Sequence, residues 1–264
     1  MTKKTLKELK KILDDKISGS TEIVLRLNDY FHDNANDFKT VIASVEKAKT
    51  KLSHFAVIKN YLYDFLKVIQ SEDYEEIIEF TKRYKKDIEN KYNKLYYNSR
   101  KYLSNKNSIL SISNSYTLLE IFKRLKKDNK KLKIIIAESR PKNEGRLFAQ
   151  ALTEYNIKVE LITDAMISLY IPKIDVVVLG ADAILNNGNI INKAGSKSAA
   201  LLCRYYKKPC YVITTKDKIT SKNKFHQVKQ NPGEIWDLED KNIKITNYYF
   251  EEIYKNLFTK IITD

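Results

Sequence analysis

Five short apolar runs alternate with helix-patterned stretches from Ser108 onward, and this alternation constrains the fold more than any other feature. The runs are Ser108 to Ile112, Lys133 to Ala137, Val159 to Thr163, Asp175 to Gly180 and Cys210 to Thr214. Between them lie helical stretches at Ser115 to Leu125, Glu144 to Tyr155, Ala165 to Leu169 and Ala194 to Tyr206. Strands and helices in this order build a parallel sheet with right-handed crossovers. Such a sheet collects its strand-to-helix loops along one edge, where ligands bind. In the tail, Ile243 to Thr246 can add a strand, and Tyr248 to Ile262 reads as a closing helix.

The preceding half is different. From Thr2 to about Leu103 there is no Pro and a single Gly, Gly19. Apolar residues recur at helical spacing: Leu6, Leu9, Ile12, Leu13; Ile23, Leu27, Tyr30, Phe31; Val57, Ile58, Tyr61, Leu62, Phe65; Tyr74, Ile77, Ile78, Phe80, Tyr84. Ser18-Gly19-Ser20-Thr21 breaks the first helix and can cap the next. The chain therefore reads as α/β, with a helical domain over residues 1–104 and a parallel-sheet domain over residues 105–264.

A hydrophobic content of 43% in 264 residues supplies a real core. The longest apolar runs are strand-sized and too short to span a membrane. The charged start MTKKTLKELKK has no signal-peptide stretch, so a soluble, cytoplasmic protein is expected. Cys203 and Cys210 read as small buried hydrophobes in a reducing compartment. With His32, His54 and His226 scattered, no metal-ligand spacing appears and no cofactor is expected. The net charge is +15, from 48 basic and 33 acidic residues. Only seven of the 48 are Arg, the residue that reads bases bidentately, so nucleic acid is not the expected partner. The lysine-rich run from Lys123 to Lys131 reads as a solvated helix end and turn.

Four loops follow strands and carry the chemistry. Ser113-Asn114-Ser115-Tyr116-Thr117 offers hydroxyls, an amide and a helix amino end, all suited to phosphate; an ordinary capped helix has the same look. Glu138 to Arg146 mixes Arg140, Lys142 and Arg146 with two Glu around Pro141, as a binding loop or a salt-bridged surface turn would. In the third, Val176-Val177-Val178 runs into Gly180-Ala181-Asp182, the turn Asn186-Asn187-Gly188-Asn189, then Asn192-Lys193 and Gly195-Ser196. A carboxylate, an amide, an ammonium and a Gly-containing helix start in one segment suit a phosphorylated polyol. The fourth is Thr214-Thr215-Lys216-Asp217-Lys218.

ESRPKNEGR, GADAILNNGNIINKAGS, KPCYVITTKDK and Asn231-Pro232, in that order and strand-loop context, resemble the translation initiation factor 2B alpha/beta/delta family. That family includes archaeal ribose-1,5-bisphosphate isomerase and methylthioribose-1-phosphate isomerase. The resemblance covers Ser108 to Asp264 most strongly. In the helical half, Ser18 to Ile23 occupies the family's glycine-containing phosphate turn. It implies a helical domain on a Rossmann-like domain, a ligand in the cleft between them, and dimers through the Rossmann-like part.

By the same resemblance, Asp182 matches the isomerases' acid/base, and Asn192-Lys193 matches the pair that holds substrate. Lys218 matches a frequent lysine after the strand, Ser115 and Asn114 belong to the first phosphate loop, Arg140 to the second, and Gly19 and Ser20 to the amino-terminal turn. The isomerases' catalytic cysteine is replaced by Ser113, and the turn arginine by Ser18. A hydroxyl is far less acidic than a thiol of pKa about 8.5 and needs an adjacent base to become a nucleophile. The expectation is a regulatory protein that binds a sugar phosphate or nucleoside monophosphate as a homodimer or higher homo-oligomer, with a translation factor as a further partner. The alternative is an aldose-ketose isomerase acting on a phosphorylated pentose.

Overall fold

The computed structural model describes residues 3–15, 18–52 and 55–264; of the sequence readings, Thr2 and His54 fall outside them. The chain divides into two compact units, residues 1–93 and 94–264.

The first unit holds helices α1 (Lys3–Leu13), α2 (Ser20–Asp33), α3 (Phe38–Leu52) and α4 (Ala56–Ile69), and α5 (Tyr74–Leu103) begins in it. Their apolar stripes meet in one core that includes Val24, Leu27, Phe31, Val45, Ile58, Phe65 and Ile77. Phe31 and Phe65 stack with ring centroids 4.5 Å apart. Asn28 is buried among them with its amide satisfied, accepting from Tyr61 Oη at 3.1 Å and donating to the Thr81 carbonyl at 3.1 Å. The hydroxyl cap expected at 18–21 does not form. Gly19 stands at the N-cap of α2 without a side-chain bond, while Ser20 and Thr21 are the buried first residues of the helix.

The second unit carries β1 (Ser108–Ile112), α6 (Tyr116–Asp128), β2 (Lys133–Ala137), α7 (Glu144–Thr153), β3 (Lys158–Ile162), α8 (Ile167–Tyr170), β4 (Val176–Leu179), β5 (Ala183–Ile184), β6 (Ile190–Lys193), α9 (Ser196–Tyr205), β7 (Cys210–Ile213), β8 (Phe250–Ile253) and β9 (Lys260–Ile262). Six strands form a sheet in the order β3-β2-β1-β4-β7-β9, parallel throughout. All residues of β4 and β7 are buried, as strands covered on both faces require, and this is why they read as unbroken apolar runs. Among the described residues no helix is long and apolar enough to cross a membrane.

The tail departs from expectation. Residues 243–246 form no strand, and the closing helix is instead two strands joined by a short 3-10 turn. Strand β8 pairs antiparallel with β6, completing a small sheet β5-β6-β8, and β9 pairs parallel with β7. Both β6 and β7 would otherwise present unpaired backbone groups, and satisfying them outweighs the helical spacing of the tail.

Gly145 locks α7 against the sheet. A Cβ there would lie 2.0 Å from the Ala137 carbonyl oxygen at the end of β2, and its own N–H donates to the Glu138 carbonyl at 3.1 Å. Gly145→Ala must push the helix start away from β2, at roughly 1–3 kcal/mol. Urea unfolding checks this: the midpoint falls, and an unchanged midpoint contradicts the packing described.

Candidate functional site

The sheet reverses direction at β1. The chain steps outward from β1 to β2 and β3, then crosses back to place β4 on the other side of β1. Ligands of such sheets bind beyond the carboxyl ends of the strands at this switch point. The loops after β1 and β4 meet there, since a Cβ on Gly180 would lie 3.0 Å from Ser115 Oγ.

The loop after β1 is held by its neighbours. Ser113 sits at φ 66° and its N–H donates to Ser139 Oγ at 2.7 Å. Ser139, at φ 64°, donates its own hydroxyl to the Ala137 carbonyl at 3.1 Å. The N–H groups of Ser139 and Arg140 both donate to the Asp164 carboxylate, at 2.9 and 2.7 Å. Left-handed backbone at non-glycine residues is costly and persists only where surroundings over-determine it; these bonds do so. Ser115 is the N-cap of α6 and its Oγ accepts from Leu118 N–H at 3.3 Å, which leaves the hydroxyl proton to donate. Ser113, Asn114 and Ser115 are half-buried. No carboxylate, imidazole or amine among the described residues hydrogen-bonds the Ser113 hydroxyl.

Beyond β4, Asp182 is half-buried and its N–H donates to the Ile191 carbonyl at 2.8 Å. Burial raises its carboxyl above the ordinary 3.8, the ammonium groups of Lys218 and Lys193 pull it down, and Glu144 pushes it up; the net shift is upward. Lys193 ends β6 and Lys218 closes the short turn after β7; both are buried. Neither ammonium pairs directly with Asp182. Lys193 Nζ instead donates to Glu144 Oε1 at 2.7 Å and lies 4.8 Å from the centre of the Tyr249 ring.

Glu144, in the first turn of α7, is the member of this cluster that sequence reasoning did not single out, although it lies within the charged loop 138–146. Tyr249 was missed as well. Its hydroxyl donates to Glu234, which also pairs with Lys142 at 2.6 Å. Burial opposes the Glu234 charge, but the bonds from Lys142 and Tyr249 outweigh it and lower its pKa.

Other expected ligands are otherwise engaged. The Asn192 amide is buried and donates to Ser196 Oγ at 2.9 Å. Arg140 is exposed and its guanidinium donates to the Ile235 carbonyl at 3.1 Å. The glycine helix start at Gly195 is not open to an anion: Glu251 of β8 accepts from the N–H groups of Gly195 and Lys197, both at 2.8 Å. A carboxylate there satisfies the orphan donors that Gly195 itself cannot cap. Gly19 and Ser20 belong to the helical unit and form the start of α2. Cys203 and Cys210 are buried free thiols in the core of the sheet unit. Among the described residues no group of three or more His, Cys, Asp or Glu side chains could hold a metal ion.

The chain matches the model of the Initiation factor 2 subunit family over residues 3–264, and it belongs to that family. Ribose 1,5-bisphosphate isomerase of Methanocaldococcus jannaschii is 33% identical over 163 residues, which are 60% of this chain and 53% of that protein. A Pyrococcus furiosus protein named as eIF-2B subunit 2-like is 37% identical over 118 residues, 43% of each. The matched part of the chain thus spans about half the length of these relatives. Among solved structures, 5-methylthioribose 1-phosphate isomerase from Pyrococcus horikoshii OT3 superposes with a TM-score of 0.87, covering 98% of this chain and 82% of that one. At 17% identity this likeness is one of fold.

The Asp182 carboxyl gives a pH-dependent test. A carboxyl raised in the folded state costs stability once ionised; the cost is absent below the unfolded value of 3.8 and complete above the folded value. Asp182→Asn therefore has a higher urea midpoint than the native chain at pH 7, and the gain shrinks as pH falls toward 3.8. A variant less stable than the native chain at pH 7 contradicts this.

Proposed function

We propose that this member of the Initiation factor 2 subunit family binds a phosphorylated pentose or a nucleoside monophosphate beyond the carboxyl ends of β1 and β4, and that it does so as a regulatory rather than a catalytic protein. One observation carries the binding: two buried ammonium groups, Lys193 and Lys218, act on a half-buried Asp182 beside the hydroxyl- and amide-bearing loop 113–115. Charges are taken out of water at that cost only for a partner or for function. The Asn114 amide and the Ser113 hydroxyl make no side-chain hydrogen bond with the described residues, which leaves them for a ligand.

The regulatory reading rests on Ser113. Aldose-ketose isomerisation needs one group to take a proton from carbon and another to move protons between the oxygens. No base among the described residues hydrogen-bonds the Ser113 hydroxyl to activate it, which favours the regulatory reading. The isomerase reading has one observation in its favour: the Asp182 carboxyl is raised, as a proton-shuttling acid requires. A second copy of the chain, docked through the α/β unit, and a translation factor are the partners this reading carries.

Titration calorimetry with ribose 5-phosphate, AMP and ribose 1,5-bisphosphate tests the binding; saturable heat with at least one is expected, and none with any overturns both readings. Incubation with ribose 1,5-bisphosphate and with methylthioribose 1-phosphate separates them. No turnover is expected. Turnover that Asp182→Asn abolishes decides for the isomerase.

A further inference from the structure

The positive charge of the chain is not shared evenly. Residues 1–93 hold 18 Lys and Arg against 16 Asp and Glu, whereas residues 94–264 hold 30 against 17. Nearly all of the net +15 therefore belongs to the sheet unit. A general preference for lysine would raise both units alike.

Within the sheet unit the excess gathers at the amino ends of the strands, the edge opposite the candidate site. Strands β3, β2 and β9 begin with Lys158, Lys133 and Lys260, and β1, β4 and β7 are entered through Lys106, Lys173 and Lys207-Lys208. Six neighbouring strands thus each present a lysine along a line of about 24 Å, at roughly 4.8 Å per strand. Lys127, Lys130 and Lys131 widen it at the turn before β2. Acids near this edge are engaged already. Asp175 accepts from the N–H groups of Asn107 and Ser108 at 2.8 and 2.9 Å, Asp128 pairs with Arg100 at 2.9 Å, and Glu160 pairs with Lys133 at 2.5 Å; Glu154 adds one more negative charge. Lys127, Lys130, Lys131, Lys158 and Lys207 are exposed, and no acid among the described residues pairs with their ammonium groups.

Helix dipoles account for part of this only. Lys126 and Lys127 stand in the last turn of α6, as a helix carboxyl end favours. Helix α7 ends at the same edge with no basic residue in its last turn, and Lys130, Lys131, Lys158 and Lys207 lie beyond the helices. Lys207 even holds φ 53°, where glycine is the usual residue after a helix. Aromatic rings share the edge: Tyr155 stands before β3 and Tyr206 before β7, both exposed, and Lys123 Nζ lies 4.4 Å from the centre of the Tyr155 ring. Lysines grip phosphates as point charges, and exposed rings among them offer stacking platforms for unpaired bases. An acidic protein would use the lysines and leave the rings idle. The scarcity of Arg argues against reading base edges, not against holding a backbone.

We infer that the amino edge of the sheet β3-β2-β1-β4-β7-β9 binds single-stranded nucleic acid without sequence preference, its phosphates on the lysines and its bases on Tyr155 and Tyr206. This surface is separate from the sugar-phosphate site and does not depend on it.

Fluorescence anisotropy of the full chain with labelled oligo(U), oligo(dT) and a duplex tests the inference. Single strands bind more tightly than the duplex, and affinity falls with salt at a log–log slope near −3.5, about −0.7 for each of five phosphates. Reversing Lys130, Lys131, Lys158 and Lys207 to Glu weakens binding at least about tenfold and flattens the slope by roughly 3. Reversing four exposed lysines of the helical unit, Lys47, Lys59, Lys82 and Lys86, changes the net charge equally and moves affinity less than about twofold. Tyr155→Ala weakens binding about fivefold or more. If the four reversals at the edge prevent folding, Ala at the same positions serves. Absence of single-strand binding, equal loss in the two reversed sets, or a duplex bound as tightly overturns the inference. So does an unchanged affinity in Tyr155→Ala together with polyglutamate competing as well as oligo(U), the outcome an acidic protein partner would give.

Discussion

Strand β1 is followed by β2 on one side and, after β3, by β4 on the other, and this reversal sets where the loops after β1 and β4 come together. Two loops that leave neighbouring parallel strands toward opposite faces must part, and the space between them is where a sheet of this kind can hold a ligand. Here the parting is narrow. Gly180 lets the β4 loop lie against Ser115, and Gly145 lets α7 start hard against the end of β2. A side chain at Gly145 would push the start of α7, which carries Glu144, away from β2.

Each charge in that cluster is paid for by another element. Lys193 comes from β6, Glu144 from α7, Lys218 from the turn after β7, and Asp182 from the loop after β4. The tail contributes twice: β8 presents Glu251 to the start of α9, and Tyr249 lies under the Lys193 ammonium while bonding Glu234. The segment around Glu234 in turn ties down Lys142 of the loop after β2. Removing Glu144 leaves the buried Lys193 ammonium without its counter-charge, and such a loss is larger than the pair itself is worth.

What was legible in the chain follows from the range of the interactions. Strands β1 and β2 were readable to the residue, because both are short, mostly apolar segments of the kind that a sheet covered on both faces requires. The loop positions of Ser113, Ser115, Asp182 and Lys218 were readable because each stands shortly after a strand, whereas Lys193, the last residue of β6, was given its role by the family resemblance. Glu144 was not, since its partner Lys193 is 49 residues away in sequence. The same holds for Glu251, whose bonds to the start of α9 span 56 and 54 residues. The helix-like spacing of the tail misled for a related reason: its conformation is dictated by the open edges of β6 and β7, which local periodicity does not record.

The account stands on one claim, that the carboxyl edge between β1 and β4 is where a phosphorylated sugar is held. Amide hydrogen exchange with and without saturating ribose 5-phosphate addresses it directly. The account predicts slowed exchange in residues 113–118, 138–146, 180–196 and 215–219, with β3 unaffected. Protection confined to other segments, or none at all under conditions where the ligand binds, would contradict it.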